Sequence, residues 1–194
     1  GSVVAAQNWY APPLGPVNGD KNGDKATYAQ STFALLKNGI TPHSSAKGLM
    51  AEVVSTSTQH LSEGDLKAIA EYLSKLPATP VSAPVVSEPN PDTMKLGADI
   101  YNKHCADCHG KQGQGVPNIY PVLAGNPHVT QPDTTNLLQI VKGGGFAPST
   151  AANPRPYGMP PFAQTLKDDE LAAVITYVRN SWGNRGSSVT LRGL

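Results

Sequence analysis

Residues 102–115, NKHCADCHGKQGQG, contain both cysteines of this 194-residue chain, three positions apart, with a histidine directly after the second. Two cysteines at this spacing occur in four kinds of site: a disulfide, a thioredoxin-like redox pair, half of a zinc site, and a pair of thioether links to haem. The residues around the two cysteines decide among these possibilities.

The histidine after the second cysteine favours haem attachment. Cys105 and Cys108 lie one helical turn apart, where two thiols can add to the two vinyl groups of one porphyrin, and His109 then lies beneath the iron. A thioredoxin-like pair requires strands of a parallel sheet, and no alternating or β-branched runs flank this motif. Zinc requires two further ligands; His104 is adjacent but sterically awkward, and no second pair of cysteines exists. We therefore predict one covalently bound haem c, a cofactor whose attachment implies export from the bacterial cytoplasm.

A haem in such a protein needs a sixth ligand, and the chain has three methionines. Met159 stands in RPYGMPPF, residues 155–162, where prolines prevent a regular helix and favour an extended loop. Met94 precedes an amphipathic stretch and is interpreted as a core residue at a helix start. The alternative for Met159 is a loop methionine packed on apolar neighbours. From its place in this loop we predict that Met159 is the axial ligand. His/Met ligation leaves no open coordination position and therefore favours electron transfer.

The residues before the motif predict a helix that leads into Cys105. Asp92 or Thr93 can cap this helix. Its Gly97 lacks a side chain and is expected to let another helix approach closely. Gly97 and Tyr101 are expected to cross a later helix at Tyr177.

Two further helices are predicted after the motif. One is capped by Asp133 or Thr134 and ends at the three glycines 143–145. The other begins at the acidic residues 168–170, whose charges suit a helix N-terminus. Its apolar residues recur at i, i+3, i+4 and i+7, namely Leu171, Val174, Ile175 and Val178. The Gly- and Pro-rich segments between the helices predict loops wrapped around something other than a large side-chain core.

With these elements in place, residues 93–183 resemble a class I cytochrome c domain. The whole chain is similar to the C-terminal part of the multihaem cytochrome c subunits of bacterial membrane-bound alcohol, aldehyde and sugar-acid dehydrogenases. The similarity is carried by GVPNIYPVLAGNP at 115–127, GMPPF at 158–162 and LAAVITYVRNSWGN at 171–184.

The resemblance implies two more site residues. By the family's pattern, the Pro121 carbonyl accepts the Nδ1 proton of His109 and so fixes the ring. Leu123, in PVLAG, is implied to pack on the porphyrin. The alternative for Pro121 is a simple turn proline.

An internal repeat explains the residues that precede the motif. LSEGDLKAIAEYL at 61–73 aligns with LKDDELAAVITYV at 166–178 at an offset of 105, which also pairs Gly39 with Gly144. Within the first repeat, Ser62 and Asp65 predict a capping box, and Thr27 and Gln30 predict another for the preceding helix.

The first repeat lacks its own cysteine motif. Subtracting 105 from the cysteine positions leads to the first residue, where no such motif exists. Met50 falls four residues from the position that aligns with Met159. Met50 is therefore either a former axial ligand whose haem belongs to upstream sequence or an ordinary core methionine.

We therefore predict an all-α fold: a class I cytochrome c domain preceded by an incomplete, haemless cytochrome c-like domain. The expected boundaries are 1–76 for the incomplete domain, 77–92 for a linker with five prolines, and 93–194 for the haem c domain. An apolar face of the incomplete domain, left uncovered by its missing half, is expected to find a partner, with a homodimer slightly favoured over folding back on residues 93–194.

The predicted function is one-electron transfer, as an electron-transfer subunit or domain and not as an enzyme. The expected donor is a quinoprotein, flavin or molybdenum dehydrogenase or a neighbouring haem. The expected acceptor is a quinone, a terminal oxidase or another cytochrome. Two alternatives remain: a haem peroxidase or small-ligand sensor with a labile Met159 ligand, and a docking module in which residues 1–80 hold the subunit against a dehydrogenase.

Composition limits the other partners. A formal charge of +1 gives no electrostatic basis for binding nucleic acid. No apolar run reaches the length of a membrane span. The expected location is the bacterial periplasm, where a complex can associate the chain with the membrane.

Overall fold

The computed structural model describes residues 1–4, 8–16, 24–41, 44–79 and 88–190. Its helices, in chain order, are α1 (Lys25–Asn38), α2 (Gly48–Thr56), a short 3₁₀ helix (Thr58–His60), α3 (Glu63–Ser74), α4 (Pro91–His104), α5 (Ala106–His109), α6 (Pro127–Thr130), α7 (Thr135–Gly143) and α8 (Asp168–Arg179). Its strands are β1 (Ser2–Val4), β2 (Trp9–Ala11), β3 (Gly145–Phe146) and β4 (Gly158–Met159). β1 pairs with β2 in antiparallel register, Ser2 opposite Ala11, and β3 lies beside β4. The fold is helical, with strands of only two or three residues.

The chain divides into two compact units. The first comprises Gly1–Thr41, Ser45–Ala83 and Phe146–Pro156, and the second comprises Pro42–Ser44, Pro84–Gly145 and Tyr157–Leu194. The domain organisation expected from the sequence stays a prediction, and residues 80–87 of the expected linker lie outside the described residues. Among the helices that the structure describes, none has both the length and the hydropathy that a membrane crossing requires.

In the second unit, α4 crosses α8 at Gly97. A Cβ atom added at Gly97 would collide with the carbonyl oxygen of Ala173 and would lie 2.6 Å from Cβ of Tyr177. The rings of Tyr101 and Tyr177 pack 5.6 Å apart at this crossing. The predicted crossing of the two helices at Gly97 is therefore confirmed.

The helix caps agree with the sequence in part. Ser62 caps α3 by accepting a bond from the Asp65 N–H at 3.1 Å, which confirms the Ser62 half of the predicted capping box, and the Ser62 hydroxyl donates to the Asp65 carboxylate at 2.7 Å. The predicted start of α4 was wrong: that helix begins at Pro91, and the Asn90 side chain accepts from the Asp92 N–H at 2.8 Å. Proline suits this first position because it has no N–H to leave unsatisfied.

At two other helix starts an aspartate side chain accepts a hydrogen bond from a backbone N–H group of the first turn. The predicted box of Thr27 with Gln30 was wrong, because Asp24 caps α1 by accepting from the Thr27 N–H at 2.8 Å. At α7, Thr134 is the N-cap residue but its side chain makes no capping bond, whereas the carboxylate of the preceding Asp133 accepts from the Thr135 N–H at 2.9 Å.

The secondary structure repeats at the predicted offset. α3 and α8 have 12 residues each and begin 105 positions apart, at Glu63 and Asp168. Gly39 and Gly144, also 105 apart, follow α1 and α7 with φ of 71° and 64°. The repeats differ between these anchors, because α2 is helical whereas the aligned residues 153–161 contain four prolines and are not helical.

The repeat also bears on Met50. The residue that aligns with Met159 is Val54, which is fully buried on α2. Met50 lies one helical turn before Val54 and is partly buried. Its role as a former ligand, like the incomplete cytochrome-like domain itself, stays a prediction.

Candidate haem site

Helix α4 leads directly into the cysteine motif. The Cys105 N–H donates to the Tyr101 carbonyl at 2.9 Å, and the His109 N–H donates to the Cys105 carbonyl at 2.9 Å. The chain therefore continues as the one-turn helix α5, which separates Cys105 from Cys108 by a single turn. The Tyr101 hydroxyl donates to the Gly110 carbonyl at 2.7 Å and ties the end of this turn to α4.

Both cysteines are free, partly buried thiols. Burial raises the pKa of Cys105 to about 11, with a smaller contribution from Cys108. Cys105 is therefore a protonated thiol at neutral pH. In the parts of the chain that the structure describes, no three His, Cys, Asp or Glu side chains are grouped where they could hold a metal ion.

The ring of His109 is oriented by Pro121. Its Nδ1 atom lies 3.0 Å from the Pro121 carbonyl oxygen. This contact fits the tautomer that is protonated at Nδ1 and carries its lone pair on Nε2, the nitrogen available to a metal.

Gly115 makes this arrangement possible. Its φ is 61°, and a Cβ atom there would lie 2.8 Å from the Pro121 carbonyl oxygen that faces His109. The Gly115 N–H also donates to the His109 carbonyl at 2.7 Å. Only glycine allows the loop to pass this close to both partners.

Leu123 is held beside this loop. Its N–H donates to the Gly113 carbonyl at 2.7 Å, and the ring of Trp182 lies against Gly113, where a Cβ atom would be 2.6 Å from the indole. Leu123 is partly buried and packs against the apolar core of the unit.

Leu123 is one of several apolar side chains that pack on this core without being fully buried. They include Cys105, Leu123, Leu137, Val141 and Met159. The core beneath them is formed by α4, α7, α8 and their loops. A partly covered apolar wall, with two thiols and an oriented imidazole beside it, fits a flat apolar macrocycle held by thioethers and ligated by His109.

Met159 is held in an extended conformation after α7. It lies in β4, and the chain just after it is fixed because the Phe162 and Ala163 N–H groups donate to the Val141 and Lys142 carbonyls, both at 3.1 Å. Gly144 lies against this segment: its Cβ atom would collide with the Met159 carbonyl and approach Pro161 N to 2.7 Å.

Replacing Gly144 with alanine is expected to displace Met159. Gly144 has φ 64° and ψ −155°, a region open essentially to glycine alone, so the change costs about 1–3 kcal/mol of strain before the collision with Met159 is counted. We expect Gly144→Ala to weaken the near-infrared Met-to-Fe(III) band of the haem-loaded protein and to lower its unfolding temperature.

Gly143→Ala is the matched control. Gly143 is the last residue of α7, and a Cβ atom there meets nothing within 4 Å among the described residues. Equal band intensities in the two variants would contradict the role assigned to Gly144.

The two glycines that support this site, Gly115 and Gly144, were not predicted from the sequence. Their positions are plain in the sequence, but the backbone atoms that each one contacts depend on how distant loops fold. The predicted residues Cys105, Leu123 and Met159 meet on one core, and Pro121 meets His109. Their roles as haem ligands or contacts stay predictions.

Comparisons with known proteins point in the same direction. The cytochrome c family model matches residues 94–182. Over 185 residues the chain is 39% identical to the alcohol dehydrogenase (quinone), cytochrome c subunit, of Gluconobacter oxydans, which covers 91% of this chain and 38% of that protein. It is 33% identical to the gluconate 2-dehydrogenase cytochrome c subunit of Pantoea cypripedii, covering 98% of this chain and 45% of that protein.

A smaller relative matches a little under half of the chain. Cytochrome c-552 of Thermus thermophilus is 37% identical over 94 residues, which are 45% of this chain and 69% of that protein. The chain spans less than half the length of either dehydrogenase subunit, but more than two thirds of the smaller cytochrome.

Proposed function

Because the chain belongs to the cytochrome c family, we propose that it transfers single electrons through one haem c attached to Cys105 and Cys108, with His109 and Met159 as axial ligands. The observation that carries the proposal is the shared apolar wall, on which Cys105 and Met159 pack beside the His109–Pro121 pair.

Each residue has a defined task in this proposal. When bound, haem c supplies an iron that cycles between Fe(II) and Fe(III). Cys105 and Cys108 hold the group in place, and the Pro121 carbonyl keeps His109 in the tautomer that ligates through Nε2. Met159 would supply the second protein ligand to the iron, which would leave no position for a substrate and would favour electron transfer over catalysis. Leu123 and the other apolar side chains exclude water from the site.

The relatives suggest the redox partners. The two longer relatives are named as cytochrome c subunits of quinone-linked alcohol dehydrogenase and of gluconate 2-dehydrogenase. We accordingly propose that the chain is an electron carrier that lies outside the cytoplasm, in the periplasm, and associates with a dehydrogenase. Its donor is a quinoprotein, flavin or molybdenum dehydrogenase or a neighbouring haem, and its acceptor is a quinone, a terminal oxidase or another cytochrome. Homodimer formation stays a prediction that the comparisons do not support; light scattering across a dilution series tests it.

The number of haems is tested by a pyridine haemochrome assay on the chain matured in an exporting host. We expect one haem per chain, resistant to acid–acetone extraction. The double variant Cys105→Ser, Cys108→Ser should retain none after extraction. Two haems per chain, or none, would contradict the proposal.

A further inference from the structure

We propose that Tyr120 and Tyr157 are positioning residues, a tyrosine clasp that keeps Met159 at its axial position by joining the chain segments of the two axial ligands. This inference rests on the proposed function. Tyr120 directly precedes Pro121, whose carbonyl orients His109, and Tyr157 lies two residues before Met159. The two rings contact each other edge to face, with centroids 5.6 Å apart and planes inclined by 63°.

Tyr120 stands on a rigid loop. Its N–H donates to the Val116 carbonyl and its carbonyl accepts from the Val116 N–H, both at 2.9 Å. Partial burial raises the pKa of Tyr120, so the phenol is neutral at physiological pH, and a hydrogen bond with Cys108 places it beside the cysteine motif. The backbone of Tyr120 is therefore held next to the site, and its ring extends from this anchored position.

Met159 is held differently on its two sides. On the C-terminal side, the Phe162 and Ala163 N–H groups bond to the end of α7. On the N-terminal side, the two-residue pairing of β3 with β4 holds the backbone, and Tyr157 supplies the side-chain contact that reaches Tyr120. Loss of that contact leaves the two-residue β3–β4 pairing to hold the N-terminal side of Met159.

The contact between the two tyrosine rings determines how much the clasp is expected to change the detachment of Met159. Tyr157 is 61% exposed, so its ring contributes little through burial, and the edge-to-face contact with Tyr120 is its main interaction in the clasp. Aromatic pairs of this geometry change an equilibrium constant by about two- to tenfold. The clasp is therefore expected to lower the fraction of molecules in which Met159 is detached by the same factor.

The test uses imidazole as a competing ligand for the ferric, haem-loaded protein. Imidazole binds only when Met159 is detached, so its apparent affinity reports the detached fraction. Tyr157→Ala and Tyr120→Ala are each expected to raise the imidazole affinity about two- to tenfold and to lower the temperature at which the near-infrared band disappears. Tyr157→Phe keeps the ring contact and should stay within twofold of the parent.

A double variant and a distant control separate the clasp from general destabilisation. Tyr120→Ala with Tyr157→Ala should raise the affinity no more than either single change, because both remove the same contact. Tyr72→Ala removes a tyrosine of α3 that is 67% exposed and should change nothing. Unchanged affinity in Tyr157→Ala, equal effects of Phe and Ala at 157, or additive effects in the double variant would each overturn the clasp.

Failure of the clasp is distinguishable from failure of the proposed ligand set. If the parent protein shows the near-infrared band and Met159→Ala abolishes it, the ligand set stands whatever the tyrosine variants do. If the parent lacks the band, the ligand set and the clasp are both overturned.

Discussion

Replacing Met159 with alanine is expected to abolish the near-infrared Met-to-Fe(III) band and the low-spin His/Met spectrum of the haem-loaded protein. The midpoint potential should fall by on the order of 0.1 V, within the range of about 0.8 V over which axial ligands set haem potentials. The thioether stabilises Fe(II) more than water or a nitrogen ligand does, and its loss therefore favours the oxidised state. Optical spectra with a potentiometric titration measure both effects.

The other methionines supply matched controls. Met50 lies on α2 of the first unit, and Met94 lies in the first turn of α4; both are partly buried. Met50→Ala and Met94→Ala should keep the band and leave the potential almost unchanged, although each loses some packing. If Met50→Ala alone removed the band, the assignment of Met159 would be wrong.

A second large effect is expected on stability, at Arg179. This residue is fully buried at the end of α8, and burial lowers the pKa of its guanidinium. Its Nη1 atom donates to the carbonyls of Val129 and Gln131 at 2.6 and 3.0 Å, and its Nε atom donates to the Ser187 carbonyl at 2.9 Å. A single side chain thus satisfies three backbone carbonyls, two at the end of α6 and one in the segment after α8.

Arg179→Met should therefore lower the free energy of unfolding by about 3–5 kcal/mol. Methionine fills much of the volume but leaves the three carbonyls without their donor, and each unsatisfied buried polar group costs about 1–3 kcal/mol, partly relieved by relaxation. Denaturant unfolding of the haem-loaded protein measures the change.

Arg185→Met tests whether the effect is specific to the buried site. Arg185 is exposed, and such substitutions usually stay within about 0.5 kcal/mol. Equal destabilisation by the two variants would mean that Arg179 does not connect the end of α6 to the segment after α8 as described.

The sequence predicted the parts of the fold that depend on local pattern. The apolar periodicity of residues 171–178 and the acidic start at 168–170 predicted α8, and the 105-residue offset predicted its counterpart α3. The absence of a side chain at Gly97 was sufficient to predict the helix crossing. In each case the decisive feature is a residue type or a spacing that can be recognised in the sequence itself.

The parts that the sequence did not predict depend on contacts between distant residues. Arg179, near a helix C-terminus, has the pattern of a solvated charge interacting with the helix dipole, yet three distant carbonyls surround it. Gly144 was predicted only as one of the glycines that end a helix. Its close approach to Met159 depends on how the loop after α7 folds. Asp24 and Asn90 displaced the expected caps because several polar residues compete at each helix start.

The central claim is one-electron transfer through a single haem c ligated by His109 and Met159. Its most direct test is a spectroelectrochemical titration of the haem-loaded chain, followed in both the visible and the near-infrared regions. We predict one reversible transition with a one-electron slope, in which the near-infrared band is present in the oxidised protein and vanishes on reduction. Two transitions, or an oxidised protein without that band, would contradict the account.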